Sequence, residues 1–160
     1  MDADGYICLA DFGLAKFLTT SSDQTYSFCG TAEYLAPEIL DMQGHGFTVD
    51  WWTLGILLYE MVTGRPPFMH KSHHKLGVLI RNSRIIFPDP VKHGIPMSDD
   101  LKDIISKLLD RNPKTRLGSK NDAHDLINHP FFADIDWEKL EQKEIKAKYL
   151  PEVAPVQLLQ

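Results

Sequence analysis

Thr48-Val49-Asp50-Trp51-Trp52-Thr53-Leu54-Gly55-Ile56-Leu57-Leu58-Tyr59-Glu60-Met61-Val62-Thr63 is the stretch that decides the architecture. Its apolar residues fall on nearly every face, and a helix of that kind belongs in the centre of a domain. Thr48 suits the N-cap and Asp50 the favourable first turn; Gly64 can end the helix, and Pro66-Pro67 forbid its continuation. Working outward, Ser98 caps a cleaner amphipathic helix, in which Leu101, Ile104, Ile105, Leu108 and Leu109 recur at i, i+3, i+4, i+7 and i+8. Asn112-Pro113 ends it. Further helices are expected from Ala36 to about Leu40, led by Pro37, from Ser72 to Asn82, and from Asp122 to Asn128, stopped by Pro130. Strand propensity is confined to Gly5–Ala10, behind the Asp4-Gly5 turn signal.

The remaining segments are read as connections. Thr19–Thr25 is small, polar and without period, so it is expected to be a mobile surface loop. Trp137–Lys148 is a charged run, amphipathic at best, and Pro151–Gln160 reads as a tail. The expected fold is mainly α around one buried central helix, with a short β segment at the N-terminus.

Composition narrows the function classes. A chain of 160 residues with 43% hydrophobic and 24% charged residues is an ordinary globular domain. Its net charge of −5 does not suggest a nucleic-acid surface. The most apolar stretch, Val49–Val62, is shorter than a membrane span and carries Asp50 and Glu60, so no span is expected. The first residues have neither the cationic nor the apolar region of a signal peptide. The two cysteines, Cys8 and Cys29, make no disulfide framework or zinc site, which points to the cytoplasm or nucleus. His70, His73 and His74 read as a solvated helix face, having no cysteine or supporting carboxylate beside them.

Two motifs carry the functional reading. Asp11-Phe12-Gly13 is followed, after the polar loop, by Ser27-Phe28-Cys29-Gly30-Thr31-Ala32-Glu33-Tyr34-Leu35-Ala36-Pro37-Glu38. This spacing resembles the two ends of a protein-kinase activation segment, D-F-G and A-P-E. Val49-Asp50-Trp51-Trp52, Gly64-Arg65-Pro66-Pro67-Phe68, Arg116-Leu117-Gly118 and His129-Pro130-Phe131-Phe132 extend the match. Over residues 1–150 the chain resembles the AGC group of serine/threonine protein kinases. Within that group it is similar to the protein kinase B, serum-glucocorticoid and ribosomal-protein-kinase branches. Ala32 departs from the family's usual proline, which loosens the loop without removing a catalytic atom.

The resemblance implies roles residue by residue. Asp11 would hold the Mg²⁺ that sits on the ATP phosphates, since a hard cation wants oxygen ligands. Ser27 would be the activating phosphosite and Lys16 one of its cationic partners. Thr31 would touch the catalytic aspartate, and Asp50 would brace the catalytic loop. Glu33, Tyr34 and Leu35 would shape the substrate groove, while Glu38 and Arg116 would form a buried ion pair behind it. Glu60, a carboxylate in an apolar helix, needs a partner because unpaired burial is costly; the resemblance offers a substrate arginine, and a nearby backbone donor is the alternative.

The expected fold is thus a kinase-like C-terminal lobe, with residues 1–132 a partial kinase domain and 133–160 the start of an AGC-type tail. Only ten residues precede Asp11. The expectation is a fragment lacking the N-terminal lobe, the glycine-rich loop, the ATP-gripping lysine and the catalytic loop. ATP and Mg²⁺ are the implied cofactors. The implied partners are an upstream activating kinase and protein substrates with basic residues before the phosphoacceptor. The competing expectation is a kinase-like interaction module that performs no phosphoryl transfer.

Overall fold

The computed structural model describes residues 1–20 and 22–152, and its regular structure is helical. In chain order the helices are α1 (Pro37–Leu40), α2 (Thr48–Thr63), α3 (His73–Asn82), α4 (Pro90–His93), α5 (Asp99–Leu108), α6 (Ala123–Ile127) and α7 (Trp137–Glu141). Single 3₁₀ turns stand at Phe12–Leu14, Ala32–Tyr34 and Pro130–Phe132. Local chemistry sets the ends. The Ser98 hydroxyl accepts from the Leu101 N–H at 3.1 Å, as its N-cap position requires. Gly64, at φ 77°, closes α2 by donating to the Glu60 carbonyl. α4 escaped the sequence reading. Asp89 caps it by accepting from Val91 and Lys92, and Pro90 supplies the first helical φ.

The described residues form two compact units. The larger, Lys16–Ala133, holds a core of Trp52, Ile56, Ile80, Ile104, Ile105 and Leu108. Phe68 stacks on Trp52 at 6.2 Å between ring centroids. α2 and α5 pack closely because Gly55 has no side chain. A Cβ there would lie 2.9 Å from both Leu108 Cβ and Leu109 Cδ2. The smaller unit joins Met1–Ala15 to the chain from Asp134 onward. Inside it, Tyr6 donates its hydroxyl to the Ile145 carbonyl, and Lys143 pairs with Asp2 at 2.5 Å. Among the described residues no helix is long and apolar enough to cross a membrane.

Several expectations differ from what is observed. Gly5–Ala10 forms no strand; the isolated bridge in the described chain joins Thr25 and His45. Strand propensity needs a paired neighbour to become a strand, and none of the described segments pairs with these residues. α2 is buried on one face only: Trp52, Gly55, Ile56 and Tyr59 are inside, while Met61 is 72% exposed. Thr48 is the first residue of α2 rather than its cap, and the capping position, Phe47, makes no side-chain bond. Thr19–Thr25 contains a tight hydrogen-bonded turn. The Asp23 carboxylate accepts from the N–H and hydroxyl of both Thr19 and Thr20, which holds its pKa well below the usual carboxylate range. Ser21, and the expected tail from residue 153 on, lie outside the described residues.

Gly55 gives a test in which two effects oppose. Alanine favours a helix over glycine by about 1 kcal/mol, whereas overpacking a core costs about 1–3 kcal/mol. Gly55→Ala meets Leu108 head-on and is expected to lower stability in chemical denaturation. Gly77→Ala in α3 meets the Nη1 end of the Arg81 side chain at 2.9 Å and Leu40 Cδ1 at an ordinary 4.0 Å. It is expected to be neutral or stabilising.

Candidate functional site

The stretch Ser27–Glu38 is tied to the core at its far end. Pro37 begins α1, which places Glu38 in the first turn, pointing inward. Arg116, in the turn after α5, meets it as a planar fork: Nη1 to Oε1 at 2.6 Å and Nη2 to Oε2 at 2.9 Å. Arg116 is 1% exposed and Glu38 8%. The same guanidinium donates to the Thr48 carbonyl through Nη1 and to the Asp110 carbonyl through Nε, each at 2.9 Å. It also lies 5.2 Å from the Trp52 ring centroid. One cation thus joins α1, the start of α2, the end of α5 and the core aromatic.

Ser27 and Lys16 are brought together through a residue that the sequence did not single out. Lys16 Nζ donates to Thr25 Oγ1 at 2.8 Å, and Thr25 Oγ1 lies 3.3 Å from Ser27 Oγ. Thr25 is buried and pairs with His45 through two backbone hydrogen bonds of 2.9 Å. The signal was available in hindsight: an alternating Thr25-Tyr26-Ser27 places both hydroxyls on one side.

The platform residues divide. Tyr34 and Glu60 meet, with the tyrosine hydroxyl donating to Glu60 Oε2 at 2.5 Å. Glu60's partner in this structure is therefore a phenol. The bond, burial and the carboxylate's charge together push the Tyr34 pKa up to about 12. Leu35 is buried. It lines a mostly apolar pocket of about 280 Å³ with Phe28, Ala32, Leu76 and Ile80. Thr31 is exposed; its carbonyl accepts from Tyr34, while its hydroxyl makes no hydrogen bond among the described residues. Glu33 is half-buried, in the first turn of the Ala32–Tyr34 3₁₀ segment. Asp50 is exposed in the first turn of α2. Desolvation and repulsion by Asp122 push its pKa upward, with His45 opposing.

Asp11 belongs to the smaller unit and is described separately. Its backbone is left-handed, at φ 61°, and its Oδ1 accepts from the Gly13 N–H at 3.2 Å. Its remaining lone pairs are exposed to solvent. Such a carboxylate suits Mg²⁺, which is commonly held by one or two carboxylates together with phosphate oxygens and water. Among the described residues there is no group of three metal-ligating side chains of the kind that would cage an ion alone.

A family model described as protein kinase domain matches residues 1–132, and the chain belongs to that family. Serine/threonine-protein kinase gad8 of Schizosaccharomyces pombe is 48% identical over 155 residues. Protein kinase 2 of Dictyostelium discoideum and serine/threonine-protein kinase sgk-1 of Caenorhabditis elegans are each 44% identical over 153 residues. Each match covers 96% of this chain and 26%, 30% and 32% of the respective relative, so the chain spans between a quarter and a third of their lengths. Within the kinase family these relatives place it in the AGC group of serine/threonine kinases.

The Tyr34–Glu60 bond predicts a pH signature. Tyr34's folded pKa lies above the ordinary tyrosine value near 10. Whatever the bond contributes to stability is therefore present below about pH 10 and is lost as pH rises toward about 12. In a phenolate absorbance titration, Tyr34→Phe should remove the component near pH 12. Glu60→Gln should move that component down toward about 10. Loss of an ordinary component in Tyr34→Phe would show that the two groups do not interact.

Proposed function

We propose that these residues form the activation segment and substrate platform of a serine/threonine protein kinase, which transfers the γ-phosphoryl group of Mg·ATP to a protein hydroxyl. The single observation that carries the reading is the buried Glu38–Arg116 fork behind a D-F-G to A-P-E segment. It anchors that segment to the helical core, in a chain whose family is protein kinase. Phosphoryl transfer depends mostly on positioning and charge stabilisation, so a rigid platform is what such a lobe supplies.

Within this reading, residues 1–132 are part of the kinase domain and 133–160 begin an AGC-type tail. Asp11 would hold Mg²⁺, whose charge neutralises the phosphates when the nucleotide is bound. Thr31 would contact the catalytic aspartate, and Asp50 would brace the loop that carries it. Phosphorylation of Ser27 by an upstream kinase would add close to two negative charges beside Lys16 and the Thr25 hydroxyl, ordering the segment. Glu33, Tyr34 and Leu35 would line the acceptor groove, and Glu60 would receive a substrate arginine in place of the Tyr34 hydroxyl. No His-Arg-Asp tripeptide or glycine-rich phosphate loop lies within these 160 residues. The catalytic base and the ATP-gripping lysine would therefore come from residues outside them, and these residues alone would be inactive. The two exposed free cysteines, Cys8 and Cys29, agree with a cytoplasmic or nuclear protein.

The test uses the full-length protein, Mg·ATP and two serine peptides, one with and one without arginine before the acceptor. Asp11→Ala should lower kcat by about 100-fold or more, since a metal ligand contributes several kcal/mol in the transition state. Ser27→Ala should lower activity after incubation with the activating kinase. Glu60→Gln should reduce kcat/KM about tenfold or more for the arginine peptide and leave the other nearly unchanged. Turnover that survives Asp11→Ala would reject the reading, and equal losses on both peptides would make Glu60 structural.

A further inference from the structure

Gly64-Arg65-Pro66-Pro67-Phe68 takes no part in the site above, yet it walls a groove of about 550 Å³ in the larger unit. The groove is lined by polar and apolar groups, the exposed apolar ones being Met69 and Ile86, with Tyr59 and Phe68 almost wholly buried behind it. Tyr59 and Phe87 stand 6.1 Å apart there, with Phe68 beside them. The rim is cationic: Arg65, Arg84 and Lys92 are exposed, and none makes a salt bridge among the described residues. The carboxylate on that rim, Asp89, is already engaged by the Val91 and Lys92 N–H groups at the start of α4. A positive groove thus stands out on a chain of net charge −5.

The backbone beside the groove is also unusual. Arg84–Phe87 lies outside helix and strand and makes no backbone–backbone hydrogen bond among the described residues. Its position is nevertheless fixed. The Tyr59 hydroxyl donates to the Ile86 carbonyl at 2.7 Å, and Arg111 Nη2 donates to the Ser83 carbonyl. The Ile86 side chain is 77% exposed at the edge. An immobilised segment with unpaired N–H groups is a template for an added strand.

We infer that this groove docks an acidic, extended segment of a partner protein. The segment runs beside Arg84–Phe87, sets an aromatic or aliphatic side chain on Met69 and Phe87, and places carboxylates against Arg65, Arg84 and Lys92. A peptide fits better than a membrane, because the unpaired N–H groups need a chain to accept from them. The occupant is not the arginine-bearing acceptor segment, which these cations would repel. The inference therefore stands apart from phosphoryl transfer.

The probe is a fluorescein-labelled peptide alternating glutamate with phenylalanine, titrated with the full-length protein and read by anisotropy. Binding is expected, weakening as salt rises because the rim charges are exposed. The combined variant Arg65→Glu, Arg84→Glu, Lys92→Glu should bind about tenfold more weakly or worse. An equal charge change elsewhere, Lys75→Glu, Lys102→Glu, Lys114→Glu, should leave affinity unchanged, and the circular dichroism spectra of all three proteins should coincide. A peptide with lysine in place of glutamate should not bind. Equal affinity in the rim variant and the parent would overturn the inference, as would equal loss in the control variant. So would a response to the rim substitutions seen only with phosphatidylserine vesicles.

Discussion

A guanidinium taken out of water must have its donors met, and the lobe is organised around the place where that happens. Arg116 spends four hydrogen bonds on two oxygens of Glu38 and on the carbonyls of Thr48 and Asp110. One carbonyl is in the first residue of α2 and the other just beyond α5, so the side chain links the start of α2 to the chain leaving α5. Desolvating two charges is expensive, and a buried pair adds little net stability over well-packed apolar residues. Its consequence is positional. Glu38 can reach its partner only when α1 lies against the core, which sets where Ser27–Glu38 ends.

Other contacts hold the residues that precede α1. Leu35 and Ala36 are buried immediately before α1. Tyr34 then reaches across to Glu60 on α2, giving that helix's carboxylate a neutral partner. Earlier in the chain the Thr25–His45 bridge pins the loop, and Thr25 shares its hydroxyl between Lys16 and Ser27. Asp11, Phe12 and Leu14 sit on a short turn held by one side-chain bond, with Phe12 70% exposed.

Helices α1, α2, α3, α5 and α6 were legible in the sequence because they rest on local or pattern information. Ser98 before a strict i, i+3, i+4 series, Pro37 at a first turn and Gly64 before prolines each act within a few residues. Glu38 and Arg116 are 78 residues apart and were paired by resemblance alone, since no periodicity links them. The hub role of Thr25 stayed hidden, because a buried threonine in a polar loop has no composition signal. The strand expected at Gly5–Ala10 failed because a strand is a property of two segments. The all-round burial expected of α2 failed because composition cannot say which apolar face a neighbour covers; Leu57 and Met61 are exposed while Trp52 and Ile56 are enclosed.

The central claim is that Arg116 and Glu38 act as one unit, and a double-mutant cycle in equilibrium unfolding of the full-length protein measures it most directly. Removing one member of a buried pair strands the other charge, so Glu38→Gln and Arg116→Met should each cost about 3–5 kcal/mol. Together they should cost less than the sum of the two, by about 1–3 kcal/mol of coupling. Additive losses, or single losses below about 1 kcal/mol, would contradict the claim that this contact places α1 against the core.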